Sequence, residues 1–132
     1  MKCIKLDIPS VLDNIRIIES FIDNAKDHYD LTDDIYGNIV IAVTECVNNA
    51  IVHGNHSDRS KLVHIQLLIE DHTIRFIVQN EGEGFDYNNI SDPTAPENIH
   101  KLGGRGLFLM RNLCDEIEFD RNGTQIELKF YL

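Results

Sequence analysis

The sequence predicts an α+β fold, a two-layer α/β sandwich in which a mostly antiparallel sheet carries its helices on one face. Five segments alternate apolar and polar residues, which is typical of strands that bury one face and expose the other. Two longer segments repeat apolar residues at helical spacing and can cover the apolar face of that sheet. The chain of 132 residues contains no linker, repeat or low-complexity stretch, so residues 1–132 are expected to form a single domain.

The chain is expected to begin with a strand and a helix. Residues 2–8 alternate, and Pro9 should end this first strand. Ser10 is a favourable N-cap residue with Asp13 at capping-box spacing, which predicts a helix that runs to about residue 28. The buried stripe of this helix is expected to comprise Val11, Ile15, Ile18, Ile22 and Ala25. Part of that stripe could instead join a homodimer, so both uses of the stripe stay open.

A second helix is expected from Thr32 to about His53. Two aspartates follow Thr32, where negative charge stabilises the N-terminal end of a helix. Gly54 is a common type of residue just beyond a helix C-terminus. The core stripe of this helix is expected to comprise Ile35, Ile39, Ala42, Val43, Cys46 and Ala50. Cys46 is therefore interpreted as a small buried residue rather than as a thiol nucleophile.

Four more alternating segments complete the predicted sheet. They are residues 63–69, 74–78, 116–120 and 124–130. Asp71 and His72 form the bend between the first two, and Asn122-Gly123 is a strong hairpin-turn signal between the last two. Each segment is apolar on one face and largely polar on the other, so helices are needed on one side only.

The overall composition narrows the classes of function. The formal net charge of −10 argues against direct nucleic-acid binding, which requires a basic face, and leaves room for a basic protein partner. No membrane span is expected, because no apolar run is long enough, and the polar N-terminus does not resemble a signal peptide. Three cysteines lie far apart and predict neither a disulfide framework nor a zinc site. A reducing, cytoplasmic location is therefore expected.

The second helix carries a carboxylate and an amide one helical turn apart. Glu45 and Asn49 stand at positions i and i+4, so they share a helix face beside the apolar stripe. An amide oxygen can bind Mg²⁺, which takes few protein ligands besides phosphate oxygens and water. A carboxylate can accept a proton as a general base. Because E-x-x-x-N is a loose pattern, a solvated glutamate and a helix-capping amide explain this pair alone more simply.

A glycine-rich bend follows the strand at residues 74–78. Gly82 and Gly84 permit backbone conformations and close approaches that other residues do not tolerate. Asn80, at the strand end just before them, could recognise the edge of a nucleotide base. A plain glycine turn between two elements is the alternative explanation.

A second glycine-rich bend opens the next helix. Gly104 and Gly106 precede an apolar run, and glycines at a helix start leave backbone N–H groups free to hold phosphates. Arg105 could add positive charge there, or it could simply be solvated. Residues 86–104 just before this helix are polar and contain two prolines, and such long loops are usually functional or mobile.

The order and spacing of these elements resemble the GHKL ATP-binding superfamily and its Bergerat fold, over most of the chain from about residue 30. The shared layout is a helix with E-x-x-x-N-A, a strand followed by N-x-G-x-G-F, a long loop, and G-x-G at the start of a helix. Within that superfamily the chain is similar to the bacterial anti-sigma factor serine-protein kinases. The phrases that carry this similarity are V-T-E-x-x-x-N-A-I-x-H-G, D-P-T-A-P-E-N and G-R-G-L-F-L-M.

The resemblance implies a role for each candidate residue. Glu45 would be the general base, and Asn49 would bind Mg²⁺ as well as contribute to the ATP site. Residues 87–104 would form a lid over ATP, and Thr124 would help to hold the adenine through water. The full set implied for binding ATP is Asn49, Asn80, Gly82, Gly84, Gly104, Arg105, Gly106 and Thr124.

Asn80 departs from the family pattern, which usually has Asp at this position. An aspartate accepts the adenine amino proton. Asparagine keeps an acceptor oxygen and adds a donor that could face the adenine ring, much as Asn pairs with adenine elsewhere. The departure puts the ATP affinity and the kinase activity in question.

The activity implied by the resemblance is that of an ATP-dependent protein-serine kinase and anti-sigma factor. Such a protein sequesters a sigma factor and phosphorylates an anti-anti-sigma antagonist of the STAS type, which is thereby released. Phosphoryl transfer of this kind depends on positioning and charge neutralisation. Three alternatives stay open: a nucleotide-binding partner-switch module without catalysis, a stand-alone ATPase domain of the histidine-kinase type, and an interaction domain that no longer binds nucleotide.

Overall fold

The computed structural model describes residues 2–82 and 104–132. Its main elements, in chain order, are β1 (Lys2–Pro9), α1 (Ile15–Tyr29), α2 (Asp33–Asn49), β2 (Leu62–Glu70), β3 (Thr73–Gln79), α3 (Gly104–Leu113), β4 (Glu116–Asp120) and β5 (Gln125–Tyr131). Three short turns join them: a 3₁₀ turn at Leu12–Asn14, a π-helical turn at Ala50–Gly54 that continues α2, and a 3₁₀ turn at Arg121–Gly123.

The five described strands form one sheet in the order β1-β2-β3-β5-β4, and every neighbouring pair is antiparallel. The central strand is β3, in which Phe76 pairs with Leu67 on one side and with Leu128 on the other. All three side chains are buried, so they lie on the covered face of the sheet. The alternation of buried and partly exposed residues continues along β2, β3 and β5, which confirms the predicted fold class.

The helices pack around α2, which contacts α1, α3, β3 and β5. The core lies between this helical layer and the sheet. Its largest fully buried side chains are Ile8, Ile18, Ile22, Ile39, Ile51, Ile65, Leu67, Ile74, Phe76, Met110 and Leu128. Burying apolar surface on this scale is the main contribution that stabilises such a domain. The fold thus fixes α2 firmly in the centre of the molecule.

The helical stretch Asp33–Gly54 is long and apolar enough, by length and composition alone, to cross a membrane. Its apolar side chains, however, form part of the protein core, because Ile39, Val43 and Val47 are completely buried. A helix that is apolar on most sides is also what the centre of a packed domain requires.

Of the two N-cap residues predicted for the first and second helices, one is confirmed and one is wrong. Thr32 caps α2 as expected, because its hydroxyl oxygen accepts a hydrogen bond from the N–H of Ile35 at 3.3 Å. The prediction that Ser10 caps the first helix is wrong, since α1 begins only at Ile15. The hydroxyl of Ser10 donates instead to the carbonyl oxygen of Lys61 at 2.7 Å. A hydroxyl donates to any well-placed acceptor, and here the acceptor, the carbonyl of Lys61, lies far from Ser10 in the sequence.

Candidate functional site

Glu45 and Asn49 lie on the side of α2 that faces the first turn of α3. Glu45 is half-buried, and Asn49 is buried with 3% of its surface exposed. Gly106 of α3 lies against both side chains. A Cβ atom at Gly106 would stand 2.8 Å from Nδ2 of Asn49 and 2.9 Å from Oε2 of Glu45. The absence of a side chain at this glycine therefore lets α3 approach the carboxylate and the amide closely.

The side-chain amide of Asn49 is not committed to the protein. Its Nδ2 is buried and has no hydrogen-bond partner among residues 2–82 and 104–132. A buried polar group without a partner is costly, and in a native site it usually marks the place of a ligand, an ion or water. A half-turn about the last side-chain bond exchanges the oxygen and the nitrogen of the amide, so either can face that place. An amide oxygen is a suitable Mg²⁺ ligand, so the residue fits the predicted metal site.

A metal ion at this position would rely on few protein ligands. The described part of the chain contains no group of three or more His, Cys, Asp or Glu side chains able to hold one. Such a sparse set of ligands suits Mg²⁺ bound together with phosphate oxygens and water, and does not suit a closed structural zinc site.

The N-terminus of α3 adds backbone donors beside this pair. The helix begins at Gly104, and the first four N–H groups of any helix have no partner within it. Those groups, with the positive end of the helix dipole, attract anions such as phosphate. Gly106 lies within this first turn, so the side chains of Glu45 and Asn49 lie against the N-terminal end of α3. The side chain of Arg105 lies outside the described residues.

A second cluster of predicted residues forms where β3 ends. Asn80 follows β3 and is buried, with 4% of its surface exposed. Its backbone N–H donates to the carbonyl oxygen of Thr124 at 2.9 Å, and its side-chain Oδ1 accepts from the N–H of Gly82 at 3.0 Å. The structure thus brings Asn80, Gly82 and Thr124 together. Gly84 and residues 87–103 of the predicted lid lie outside the described residues.

The two clusters are joined by the end of the α2 helical stretch. The π-helical turn after Asn49 ends at Gly54, which is buried. A Cβ atom at Gly82 would overlap the carbonyl oxygen of Gly54, and one at Gly54 would overlap the amide of Asn80. The backbone of Gly82 therefore packs directly against the backbone of Gly54, and Gly54 packs against the side chain of Asn80. π-helical turns occur frequently at functional sites, and this one leads from Asn49 to the contact with Asn80.

Sequence reasoning missed several polar residues behind the Asn80 cluster, namely Ser10, Asn55, His64 and Glu81. Their side chains hydrogen-bond to one another or to the backbone across large separations in sequence. Asn55 directly follows Gly54, the predicted end of the second helix. This position was the one local feature of the sequence that could have pointed to Asn55. Its partners are set by the tertiary fold, which a local pattern does not reveal.

The carboxylate of Glu81 is held by two residues of β2. It accepts a hydrogen bond from the N–H of Leu62 at 2.6 Å and lies 3.1 Å from Nε2 of His64. These contacts hold the pKa of Glu81 below its ordinary value, the Leu62 bond contributing most. Nδ1 of His64 lies 2.7 Å from Asp7, and this contact above all raises the pKa of the histidine. The loop after β3 is therefore tied to β2 and, through His64, to β1.

Cys46 does not take part in the chemistry of this site. It is completely buried in α2, and burial raises the pKa of its thiol. A nucleophilic cysteine needs an accessible thiolate, which this environment disfavours. The interpretation of Cys46 as a core residue is confirmed.

Comparisons with known proteins identify the family of the chain. Residues 8–130 match the family described as the histidine kinase-like ATPase domain. The chain is 33% identical over 106 residues to an anti-sigma F factor of Anoxybacillus flavithermus, covering 75% of this chain and 71% of that protein. It is 27% identical over 137 residues to the serine-protein kinase RsbW of Staphylococcus aureus, covering 98% and 86%.

A solved structure gives an independent comparison of the fold. It contains the RsbU and RsbW domains of a Mycobacterium tuberculosis protein and matches with a TM-score of 0.72 at 17% sequence identity. The match covers the whole of this chain but only 33% of that one, so the chain spans about a third of the solved protein. At this identity the likeness concerns the fold alone.

Proposed function

This chain belongs to the histidine kinase-like ATPase domain family, and from that premise we propose that it is an ATP-dependent protein-serine kinase that also acts as an anti-sigma factor. The observation that carries the proposal is the meeting of Glu45, Asn49 and Gly106 at the N-terminus of α3. In this proposal the carboxylate serves as the base, the amide as the metal ligand and the backbone N–H groups of this helix end as donors to phosphate, which are the groups that phosphoryl transfer requires.

ATP is proposed to lie across the two clusters. Its phosphates would face the first turn of α3, where backbone N–H groups and the helix dipole favour negative charge. Its adenine would lie at the Asn80 cluster, where Thr124 is also located. The proposed order follows the chain, because α2 and its π-helical turn lead from one cluster to the other.

Asn49 is proposed to hold Mg²⁺ through its amide oxygen. Its unpartnered Nδ2 supports this role, because an amide bound within the protein would not be available to a ligand. When bound, Mg²⁺ would neutralise phosphate charge during the transfer.

Glu45 is proposed to accept the proton of the attacking serine hydroxyl. Its carboxylate is half-buried and lies one helical turn before Asn49, on the side facing Gly106. A base must lie within hydrogen-bond reach of the proton it removes. A position beside the proposed phosphate site meets that condition for a serine presented by a docked protein.

The proposed partners are a sigma factor and an anti-anti-sigma protein of the STAS type, and the proposed location is the cytoplasm. The proposal draws on the names of the relatives, an anti-sigma F factor and a serine-protein kinase. The net charge of −10 favours partners with basic surfaces. Phosphorylation of the antagonist would release it and leave the sigma factor bound to this chain.

The test measures phosphate transfer from ATP to a STAS-type antagonist of the same cells, together with ATP affinity. Glu45→Gln is expected to slow transfer by about 10²–10⁴ while ATP affinity changes little, because the swap removes only the base. Asn49→Ala is expected to lower both transfer and affinity, because Mg²⁺ loses its protein ligand. Glu118→Gln is the matched control: this glutamate is exposed on β4, away from the proposed site, and both quantities should stay unchanged.

Two outcomes would contradict the proposal. Unchanged transfer by Glu45→Gln would remove Glu45 as the base. If the wild type binds ATP yet transfers phosphate to no antagonist, the second candidate function, a nucleotide-binding partner switch without catalysis, replaces the first. That candidate is motivated by Asn80, which stands where the family usually has Asp.

A further inference from the structure

Asn55 forms a buried anchor behind the loop that carries Asn80. Its side chain is fully buried and makes three hydrogen bonds. Nδ2 donates to Oγ of Ser10 at 2.8 Å and to the carbonyl oxygen of Leu62 at 3.0 Å. Oδ1 accepts from the backbone N–H of Glu81 at 2.8 Å. Both N–H donors and the oxygen of this amide are therefore engaged, which fixes the side chain.

The orientation of this amide is determined by its neighbours. The carbonyl of Leu62 can only accept, and the backbone N–H of Glu81 can only donate. A flipped Asn55 would set donor against donor at Glu81 and acceptor against acceptor at Leu62. The hydroxyl of Ser10 is itself held by its bond to the carbonyl of Lys61 at 2.7 Å. The anchor thus has one stable arrangement.

The anchor determines where the backbone of Glu81 lies, and hence where the next N–H points. That next group belongs to Gly82 and donates to Oδ1 of Asn80 at 3.0 Å. The carboxylate of Glu81, bound to Leu62 and His64, holds the same residue from the other side. Gly82 also packs on the carbonyl of Gly54, which prevents it from moving inward. The oxygen of Asn80 is therefore kept in place by a chain of contacts that starts at Asn55.

This orientation matters because Asn80 is an amide. An aspartate offers two equivalent acceptors, whereas an asparagine can rotate and offer a donor instead. The purine six-position carries a donor amino group in adenine and an acceptor oxygen in guanine. An Asn80 that was free to flip could therefore serve either base.

We propose that Asn55 is a positioning residue for base selectivity: through Glu81 and Gly82 it locks the Asn80 amide with its oxygen as the acceptor, so that the site prefers ATP to GTP. The inference rests on the proposed function, since it takes the Asn80 cluster as the adenine end. Asn55 itself touches no nucleotide. Its effect passes through the Gly82 N–H alone.

The experiment measures dissociation constants for Mg-ATP and Mg-GTP by calorimetry in four forms: wild type, Asn55→Ala, Asn80→Asp and the double variant. The wild type is expected to prefer ATP, and Asn55→Ala to lower the GTP-to-ATP ratio of dissociation constants about tenfold, or 1.4 kcal/mol. In the Asn80→Asp background the carboxylate has no donor to expose. The same Asn55→Ala change should therefore leave the ratio unaltered there.

Two further variants separate positioning from stability. Ile22→Ala truncates a fully buried core side chain in α1 and should lower the melting temperature without changing the ratio. Ser10→Ala removes one support of the Asn55 amide and should lower the ratio by about threefold. If Asn55→Ala does not fold, the ratio measured in Ser10→Ala tests the inference in its place.

The outcomes are distinguishable. A wild type that binds neither nucleotide, or binds both equally, overturns the adenine assignment and this inference with it. If the wild type prefers ATP and its GTP-to-ATP ratio of dissociation constants is unchanged in both Asn55→Ala and Ser10→Ala, the inference is overturned. The adenine assignment then still stands. The inference is also overturned if Ile22→Ala changes the ratio, or if Asn55→Ala changes it equally with and without Asp at position 80.

Discussion

The two clusters along the α2 stretch treat their polar groups in opposite ways. Around Asn49 a buried amide nitrogen is left without a partner in the described part of the chain, and the Glu45 carboxylate lies against Gly106. Around Asn55 every side-chain donor and acceptor is already paired. The difference indicates that one end is open for ligand groups, whereas the other is assembled before any ligand arrives.

If ATP binds as proposed, this contrast matches the different needs of the two ends of a nucleotide. Phosphates and Mg²⁺ bring strong charges and their own ligands, so the protein has to leave donors and acceptors free for them. A base brings few polar groups, and its recognition depends on their correct direction. A site that selects by direction benefits from being rigid before binding.

Among the variants that compare the two ends, the largest expected effect comes from closing the open end. In Gly106→Ala the new Cβ would displace the ends of the Glu45 and Asn49 side chains. We expect phosphate transfer to fall by about 10²-fold, as misplacement of reacting groups by about 1 Å can do. Unfolding free energy should change little, because flexible side-chain ends can yield and alanine favours the helix by about 1 kcal/mol.

Gly37→Ala is the matched control for that variant. Gly37 also lies within a helix, α2, and an added Cβ there meets nothing within 4 Å. It should raise the unfolding free energy by about 1 kcal/mol and leave transfer unchanged. If Gly106→Ala retained full activity, the close approach of α3 would have no catalytic role.

Adding a methyl group at the assembled end should act on stability instead. In Gly82→Ala the Cβ would meet the carbonyl of Gly54, which is backbone and has no room to yield. Such overpacking typically costs about 1–3 kcal/mol. Urea unfolding monitored by circular dichroism gives the value. A stability equal to that of the wild type would show that this backbone contact is loose.

Removing the two buried amides in turn compares the ends directly. Asn55→Ala leaves polar groups of Ser10, Leu62 and Glu81 without their partner, whereas Asn49→Ala removes a nitrogen that had none. We expect Asn55→Ala to lower the unfolding free energy by about 1–2 kcal/mol more than Asn49→Ala. Denaturant titrations of both variants under one condition measure the difference. Equal decreases in unfolding free energy would show that the two ends do not differ in how their buried amides contribute to stability.

The smallest expected effect is a pH dependence of the assembled end. The contact with Asp7 raises the pKa of His64 above its ordinary 6.5, so its contribution is complete below that pH and is lost as pH rises through the raised value. The pKa of Glu81 is lowered from 4.5, mainly by the Leu62 N–H and also by His64 and Lys61. Its contribution is therefore present above pH 4.5 and lost as pH falls through the lowered value.

His64→Gln tests this window. Its destabilisation relative to the wild type should be largest between the two ordinary values, 4.5 and 6.5, and should shrink as the pH rises through the raised pKa of the histidine, which then loses its charge. Unfolding titrations across this range give the profile. A loss that is the same at all pH values would mean that His64 acts only by packing.

The fold and the open end could be predicted because their signals are local. Alternation specifies which face of β3 is buried, and the spacing of Glu45 and Asn49 places both on one helix face. The assembled end could not be predicted in the same way. Ser10, Asn55 and Glu81 meet only after β1, β2 and β3 have paired, and no periodic pattern marks them. The same long-range bonding explains why the predicted Ser10 cap was wrong.

Two glycines, Gly82 and Gly106, show what can be predicted from the sequence and what cannot. Sequence reasoning predicted close backbone approach at Gly82 and free backbone N–H groups at the helix start that contains Gly106, and the structure identifies what lies against each glycine. At Gly106 it is the side chains of Glu45 and Asn49, and at Gly82 it is the carbonyl of Gly54. A glycine in a sequence indicates that space is needed, but the neighbouring group comes from elsewhere in the chain.

The continuous helical stretch from Glu45 to Gly54 has a further consequence for how a whole nucleotide would bind. The stretch acts as a rigid spacer of fixed length, because each α-helical residue adds about 1.5 Å. A molecule bound at one end is therefore presented to the other at a high effective concentration. Two weak half-sites on such a spacer favour a ligand that is long enough to reach both, over fragments that fill only one.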